Sequence, residues 1–350
     1  MARKAGVWLF GLVACLSLGC PHDRAKRSFA DGLDAHKAGN IDAAKASYAD
    51  ALSIDAGLVG VRINLAVLHL LVGEWKEAET LLTEELRLHH DDFEVNAAAA
   101  LYWSTSPKAD EAQRLAKFVV EHADSAPSKA VSQAQLALAI ASHTIGDPYA
   151  VDFARAAYKS SPKPAQTFVL GSLLAETRNC IEGAGYLQQL IDDVVFGPSA
   201  RTNLAILRDN CGDLPGGLAT ALPLKELAAK NSYAQGVLGT LLLRSNRLDE
   251  ALVALENTVT LAPDRPGVRN TLAVAQYKAG RVDSAKSTLD AEIRLFPTTN
   301  ELPYRNLAWI YVQETDFRRA IDVLTAGAAA FPSSDVLPQS LTLLRQFVQP

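Results

Sequence analysis

Several signatures are missing from this sequence, and each absence removes a class of function. There is no glycine-rich phosphate loop, no Gly-x-Ser-x-Gly elbow, no His-Glu-x-x-His pair and no Cys-x-x-Cys, so the common nucleotide, esterase, metalloprotease and cysteine-metal chemistries have no motif to rest on. Positive charge is not in excess. The formal charge is -5, which favours solubility and argues against a phosphate-backbone partner such as a nucleic acid. Aromatic residues make up only 7% of the chain and there is one Met. With abundant Ala and Leu, this suits a helical protein packed closely through small residues. A length of 350 residues allows two or three ordinary domains or one elongated array.

The first residues differ from the rest. "MARK" is basic, residues 5–19 (AGVWLFGLVACLSLG) are apolar and uncharged, and CPHDRAKR turns polar. The apolar run is shorter than the roughly 20 residues of a membrane-spanning helix and has the layout of a secretory signal. Its ending resembles a bacterial lipoprotein signal peptide, which implies lipidation of a Cys that becomes the mature N-terminus. Cys15 has the better preceding box, with Leu12 three residues before it, but Cys20 stands where the polar switch falls and is the preferred attachment point. An uncleaved anchor is the other alternative. The expected organisation is a signal over 1–19, a lipidated tether over 20–24, an array over 25–332 and a terminal helix over 333–350. Processing takes Arg3 and Lys4 with it and leaves the chain two charges more negative.

Self-comparison governs the remainder. Small residues recur inside apolar runs at Gly32, Ala66, Ala100, Ala139, Gly171, Ala205, Gly239, Ala273 and Ala308, spaced by 34, 34, 39, 32, 34, 34, 34 and 35. A second small residue follows twelve positions later, at Ala44, Ala78, Ala112, Gly183, Gly217, Ala251, Ala285 and Ala320, with Ala150 one step early. Between them lies a short break containing Gly, Asn or Asp. Helical periodicity on both sides of so short a break predicts antiparallel helix pairs that cross at the small residues. Pro162, Pro263, Pro297 and Pro332 close many units.

These features resemble tetratricopeptide repeats (TPRs), whose pattern places a small residue in helix A, Ala in helix B and Pro at the unit's end. Leu238-Gly239, Ala251, Leu255 and Pro263 make the clearest unit. The resemblance implies an all-α, right-handed α-α superhelix of about nine repeats, with helices A lining its concave side, and a C-terminal helix covering the last apolar face. In the sixth unit, GDLPGGLATALPLKEL puts Pro and paired Gly where helix B should run, and a kink or break is expected there.

Neither catalysis nor a metal or cofactor is expected. His89-His90-Asp91-Asp92 falls between units and reads as a solvated connection ending one helix and capping the next, with a metal site as the alternative. His36, His69 and His143 lie in separate first helices. Cys180 and Cys211 occupy nearly equivalent places around the turns of units five and six, leaving two readings open: a disulfide between stacked units, or two buried thiols.

Function then resides in a surface. In TPR proteins the concave groove receives a peptide, and an Asn two positions before the anchor grips its backbone. Asn64, Asn203 and Asn306 hold that position, where bridging neighbouring repeats is the competing role. The carboxylate-clamping variant needs Lys and Arg at groove positions that here hold residues such as Ile63, Val67, Ala97, Leu101 and Thr271; only Lys26 and Arg305 supply such charge. The groove therefore suits an apolar or amphipathic segment, and its richest point is the last unit, with Arg305, Asn306, Trp309 and Tyr304. The expected protein is a lipid-anchored scaffold binding protein partners in the bacterial envelope, at the outer membrane facing the periplasm. It has no nucleic-acid or small-molecule partner. An accessory subunit of an envelope enzyme, or an enzyme with an unrecognised site, is the alternative.

Overall fold

The computed structural model describes residues 20–348; the leader, with the alternative attachment point Cys15, lies outside them. Twenty α-helices and no strand occur among the described residues. They pair into nine hairpins. The first four are α1 (Pro21–Lys37) with α2 (Ile41–Ile54), α3 (Val61–Leu71) with α4 (Trp75–Leu88), α5 (Phe93–Trp103) with α6 (Ala109–Glu121), and α7 (Ser128–Thr144) with α8 (Ala150–Ser160). The fifth joins α9 (Pro164–Glu176) to α10 (Cys180–Gln188), and the sixth joins α11 (Gly197–Asn210) to a divided second helix, α12 (Leu214–Ala221) and α13 (Leu224–Leu227). Then come α14 (Ser232–Arg244) with α15 (Leu248–Leu261), α16 (Val268–Lys278) with α17 (Val282–Leu295), α18 (Leu302–Gln313) with α19 (Phe317–Ala330), and a terminal α20 (Val336–Val348). Two compact units divide between Val169 and Leu170, inside α9.

Both small-residue ladders are buried throughout. Their purpose is visible at Gly239, where an added Cβ would stand 2.7 Å from the Leu255 side chain of the paired helix. The two backbones cross so closely that no larger residue fits.

The turn that allows this crossing is the same in eight hairpins. The residue seven positions after the anchor has positive φ: Gly39, Gly73, Gly146, Gly212 and Gly280, and also Arg178, Asn246 and Thr315, with φ of 57°, 59° and 62°. The next residue's N–H returns to a carbonyl five positions back, as in Asn40 to Ala35 at 2.9 Å and Asp316 to Tyr311 at 2.9 Å. This left-handed closure satisfies the last carbonyls of the first helix. In seven of the eight that same next residue is the N-cap of the second helix, and Asn40, Asn179, Asp213 and Asp316 accept there from the backbone N–H three positions on. One residue thus ends one helix and caps another. Pro107 holds the positive-φ position in the third hairpin, and its ring forbids that conformation. The chain there runs from Trp103 to Ala109 without that closure.

A buried carboxylate orders two hairpins at the opposite end. Glu85 accepts from the Gly60 N–H at 2.6 Å and from Arg62 at 3.3 Å, and Glu292 likewise accepts from the Gly267 N–H. Each is buried near the end of a second helix and meets the N-terminal residue of its partner, where unpaired N–H groups favour negative charge.

The sixth hairpin breaks at Leu222-Pro223. Cys180 and Cys211 form a disulfide with Cα atoms 6.1 Å apart, joining the turns of hairpins five and six. One boundary differs from the sequence expectation. Residues 21–24, expected as a tether, form the first turn of α1, because Pro21 is well suited to a helix start; Cys20 is therefore the N-cap itself. The terminal helix buries Leu337 and Leu341 against hairpin nine, yet Leu343 and Phe347 stay 66% and 76% exposed, so its outer face is apolar. Among the described residues no helix is long and apolar enough to cross a membrane.

Two outcomes follow from these constraints. Thr315 is a β-branched residue held at positive φ, so Thr315→Gly should stabilise the protein by about 1 kcal/mol, read as a higher urea midpoint at unchanged slope; a lower midpoint refutes the strain. The disulfide closes 31 residues, which by loop entropy contributes about 3–4 kcal/mol. Its reduction should accelerate tryptic cleavage at Lys225 severalfold over cleavage within hairpins one to four, and uniform acceleration would show that the bridge does not guard the broken hairpin.

Candidate partner-binding surfaces

The last hairpin presents the largest apolar recess among those lined by the expected residues. Trp309, Arg305 and Asn306 on α18 face Leu343 and Phe347 on α20 across a cavity of about 730 Å³. Trp309 is 50% exposed, and its ring meets the edge of Tyr277 in the preceding hairpin at 4.8 Å. That contact fixes the indole without covering it. Phe347 is held edge-on to Phe317 at 5.8 Å, so both aromatic walls are oriented by neighbours. Arg305 pairs with Glu301 at 3.4 Å on the exposed surface, where such a pair is weak and a ligand carboxylate competes readily.

Tyr304 belongs to the core and not to the groove. It is only 4% exposed, its hydroxyl donates to the Pro297 carbonyl at 3.0 Å, and burial raises its pKa. The backbone of Gly327 lies against its ring, where a Cβ would stand 3.1 Å away. Periodicity could not separate Tyr304 from Trp309, since both sit on one short helix with apolar residues on several sides. Ala97, assigned to the groove with Ile63 and Val67, is also fully buried.

The three asparagines are placed differently from one another. Asn64 donates to the Gly60 carbonyl of its own helix at 2.8 Å. Asn203 donates to Ser172 Oγ at 2.9 Å and Asn306 to Asn270 Oδ1 at 2.8 Å, in each case on the first helix of the preceding hairpin. Their donors bridge repeats. In the His89-His90-Asp91-Asp92 stretch, Asp92 caps α5 by accepting from the N–H groups of Glu94 and Val95. The His90 carbonyl accepts from Asn96 at 2.7 Å. Among the described residues no group of three or more His, Cys, Asp or Glu is arranged to hold a metal ion.

A second cavity, of about 320 Å³, runs along α14 in the face made by the first helices of hairpins six to eight. Asp209 and Arg265 border it with Tyr233, Gly236, Thr240 and Thr271. Sequence reading missed both charged residues. Asp209 sits four positions after an anchor and Arg265 lies in an interhairpin connection, and neither position carries a periodic signal.

Comparison with known proteins agrees with this geometry. The tetratricopeptide repeat family model matches residues 35–102 and 242–301. Among solved structures, the APC/C hetero-tetramer Cut9-Hcn1 aligns with a TM-score of 0.58 at 14% identity, over 91% of this chain and 76% of that one. A human IFIT1 dimer with m7Gppp-AAAA aligns at 0.57 and 15% identity, over 90% and 80%. A tetratricopeptide repeat protein from Parabacteroides merdae aligns at 0.54 and 12%, over 73% and 99%. At these identities the likeness is one of fold. No curated protein sequence matches the chain.

The two aromatic residues of α18 should separate on mutation. Tyr304→Ala is expected to cost about 3–5 kcal/mol, as for a fully packed aromatic, while Trp309→Ala costs roughly 2 kcal/mol because half its surface is already in water. Urea unfolding of both variants checks this, and equal costs would place Trp309 in the core.

Proposed function

Because this chain is a tetratricopeptide repeat protein, we propose that it is a non-catalytic docking scaffold that seats a protein segment beside Trp309. The carrying observation is the cavity of about 730 Å³ between α18 and α20, walled by a half-exposed Trp and an exposed Phe. An aromatic surface held rigid by its neighbours binds an apolar side chain at little entropic cost. The segment that suits it is an amphipathic helix or extended stretch with apolar anchors. Arg305 at the rim accepts an acidic flank.

We further propose that the protein works in a bacterial cell envelope, anchored by lipid on Cys20 at the outer membrane and facing the periplasm, where it assists assembly of an envelope complex. Support comes from the basic, apolar and then polar order of residues 1–27. The disulfide between Cys180 and Cys211 also fits an oxidising compartment.

Crosslinking in native envelopes, followed by mass spectrometry, tests the scaffold with Trp309→Ala as the variant; Asn306 is left intact because its amide bridges to Asn270. One complex captured by the intact protein and lost by the variant is the expected result. Equal capture moves the site elsewhere, and no specific capture defeats the scaffold reading. For the anchor, Cys20→Ser should shift the protein from the detergent phase to the aqueous phase, and retention in detergent overturns lipidation there.

A further inference from the structure

The terminal helix α20 carries a second stripe, apart from the one it packs on hairpin nine. Val336, Ser340, Leu343 and Phe347 follow one another at intervals of four, three and four positions, the spacing at which one helix forms a seam against another. Val336, Leu343 and Phe347 are 40%, 66% and 76% exposed. Arg345 is the single charge between Val336 and Val348, and at helical spacing it falls on the side away from the stripe. Gln339 and Gln346, which border the stripe, are neutral. Charges beside a seam set the choice of a foreign partner, and here there are none. Nothing repels an identical helix.

Size and charge both choose the direction in which such a helix would lie. Antiparallel about a two-fold axis, Phe347 stands opposite Val336 of the second copy and Leu343 opposite its Ser340, so that each larger side chain faces a smaller one. Parallel pairing would set Phe347 against Phe347. The helices α18 and α20 begin one repeat of 34 positions apart, at Leu302 and Val336, and so run in the same sense along the recess. An antiparallel copy of α20 laid between them brings its C-terminal end to the start of α18, beside Arg305. The unpaired carbonyls of that end carry partial negative charge, which a cation stabilises; a parallel copy would present the positive end to the same guanidinium.

We infer that the segment seated beside Trp309 is α20 of a second copy of this chain, antiparallel to the first, so that the protein is a two-fold dimer joined at its C-terminal ends. Leu343 and Phe347 of each copy enter the recess of the other, and one contact covers both apolar outer faces. This inference rests on the reading of that recess as a docking site and names its occupant.

The test uses the full chain in native envelopes. Two differently tagged copies are produced together, one with Val336→Cys and the other with Phe347→Cys, and then oxidised. A disulfide joining the two tags, absent without the substitutions, is the expected result; bonds only between like tags mean parallel pairing and overturn the inference. Without added cysteines, the two tags should co-purify from detergent. Leu343→Asp in both copies, which would bury an unpaired carboxylate, should reduce that yield at least about tenfold, while Thr342→Asp, at an exposed position off the stripe, should leave it unchanged. Persistence with Leu343→Asp, or equal loss with Thr342→Asp, overturns the inference. If copies do not associate while the intact protein still captures another envelope protein through Trp309, the docking reading survives and the dimer falls; if neither a second copy nor another protein is captured, both fall.

Discussion

The structure depends on the close crossing of two helices at a pair of small side chains twelve residues apart. Where Gly239 meets Leu255, the space for even one Cβ is already taken. Helices this close must be joined by a connection that reverses direction within a few residues, and the left-handed turn does so while pairing the carbonyls it exposes. The hairpin, its turn and its cap are therefore consequences of one distance. Stacking follows in turn, because a single hairpin leaves an apolar face that only a neighbouring hairpin covers.

Departures from the pattern show what the constraint tolerates. Pro107 cannot adopt positive φ, and the third hairpin turns without it yet keeps its crossing at Ala100 and Ala112, both fully buried. Thr315 adopts it at a cost, held there by the packed helices on either side. In the sixth hairpin Pro223 divides the second helix, and a covalent bridge ties the turn that precedes that helix to the hairpin before it. The anchor positions are conserved along the array in size while turn chemistry varies, because size is what the crossing measures.

The two candidate surfaces arise from the same geometry by different routes. Beside Trp309 the recess exists because α20 packs through Leu337 and Leu341 and leaves Leu343 and Phe347 turned away from the core. Along α14 it exists because Gly236 provides no side chain where a neighbour would otherwise fill the groove. One recess is walled by Trp309, Leu343 and Phe347 and the other is bordered by Asp209 and Arg265.

The repeating small residues, the helical periodicity around them and the prolines at unit ends determined the fold class, because each is a local property repeated often enough to exclude chance. The break in the second helix of the sixth hairpin was legible as well, because Pro and paired Gly are local marks. Tertiary structure decided which side chain on α18 faces solvent and which faces Gly327, since an eleven-to-fourteen-residue helix apolar on several sides carries no mark of its neighbours. It also decided that Asn203 and Asn306 spend their donors on the preceding repeat, and that Asp209 and Arg265, 56 positions apart in the chain, border one cavity. Periodicity records how a residue relates to its own helix; what stands opposite it is settled only when the hairpins stack.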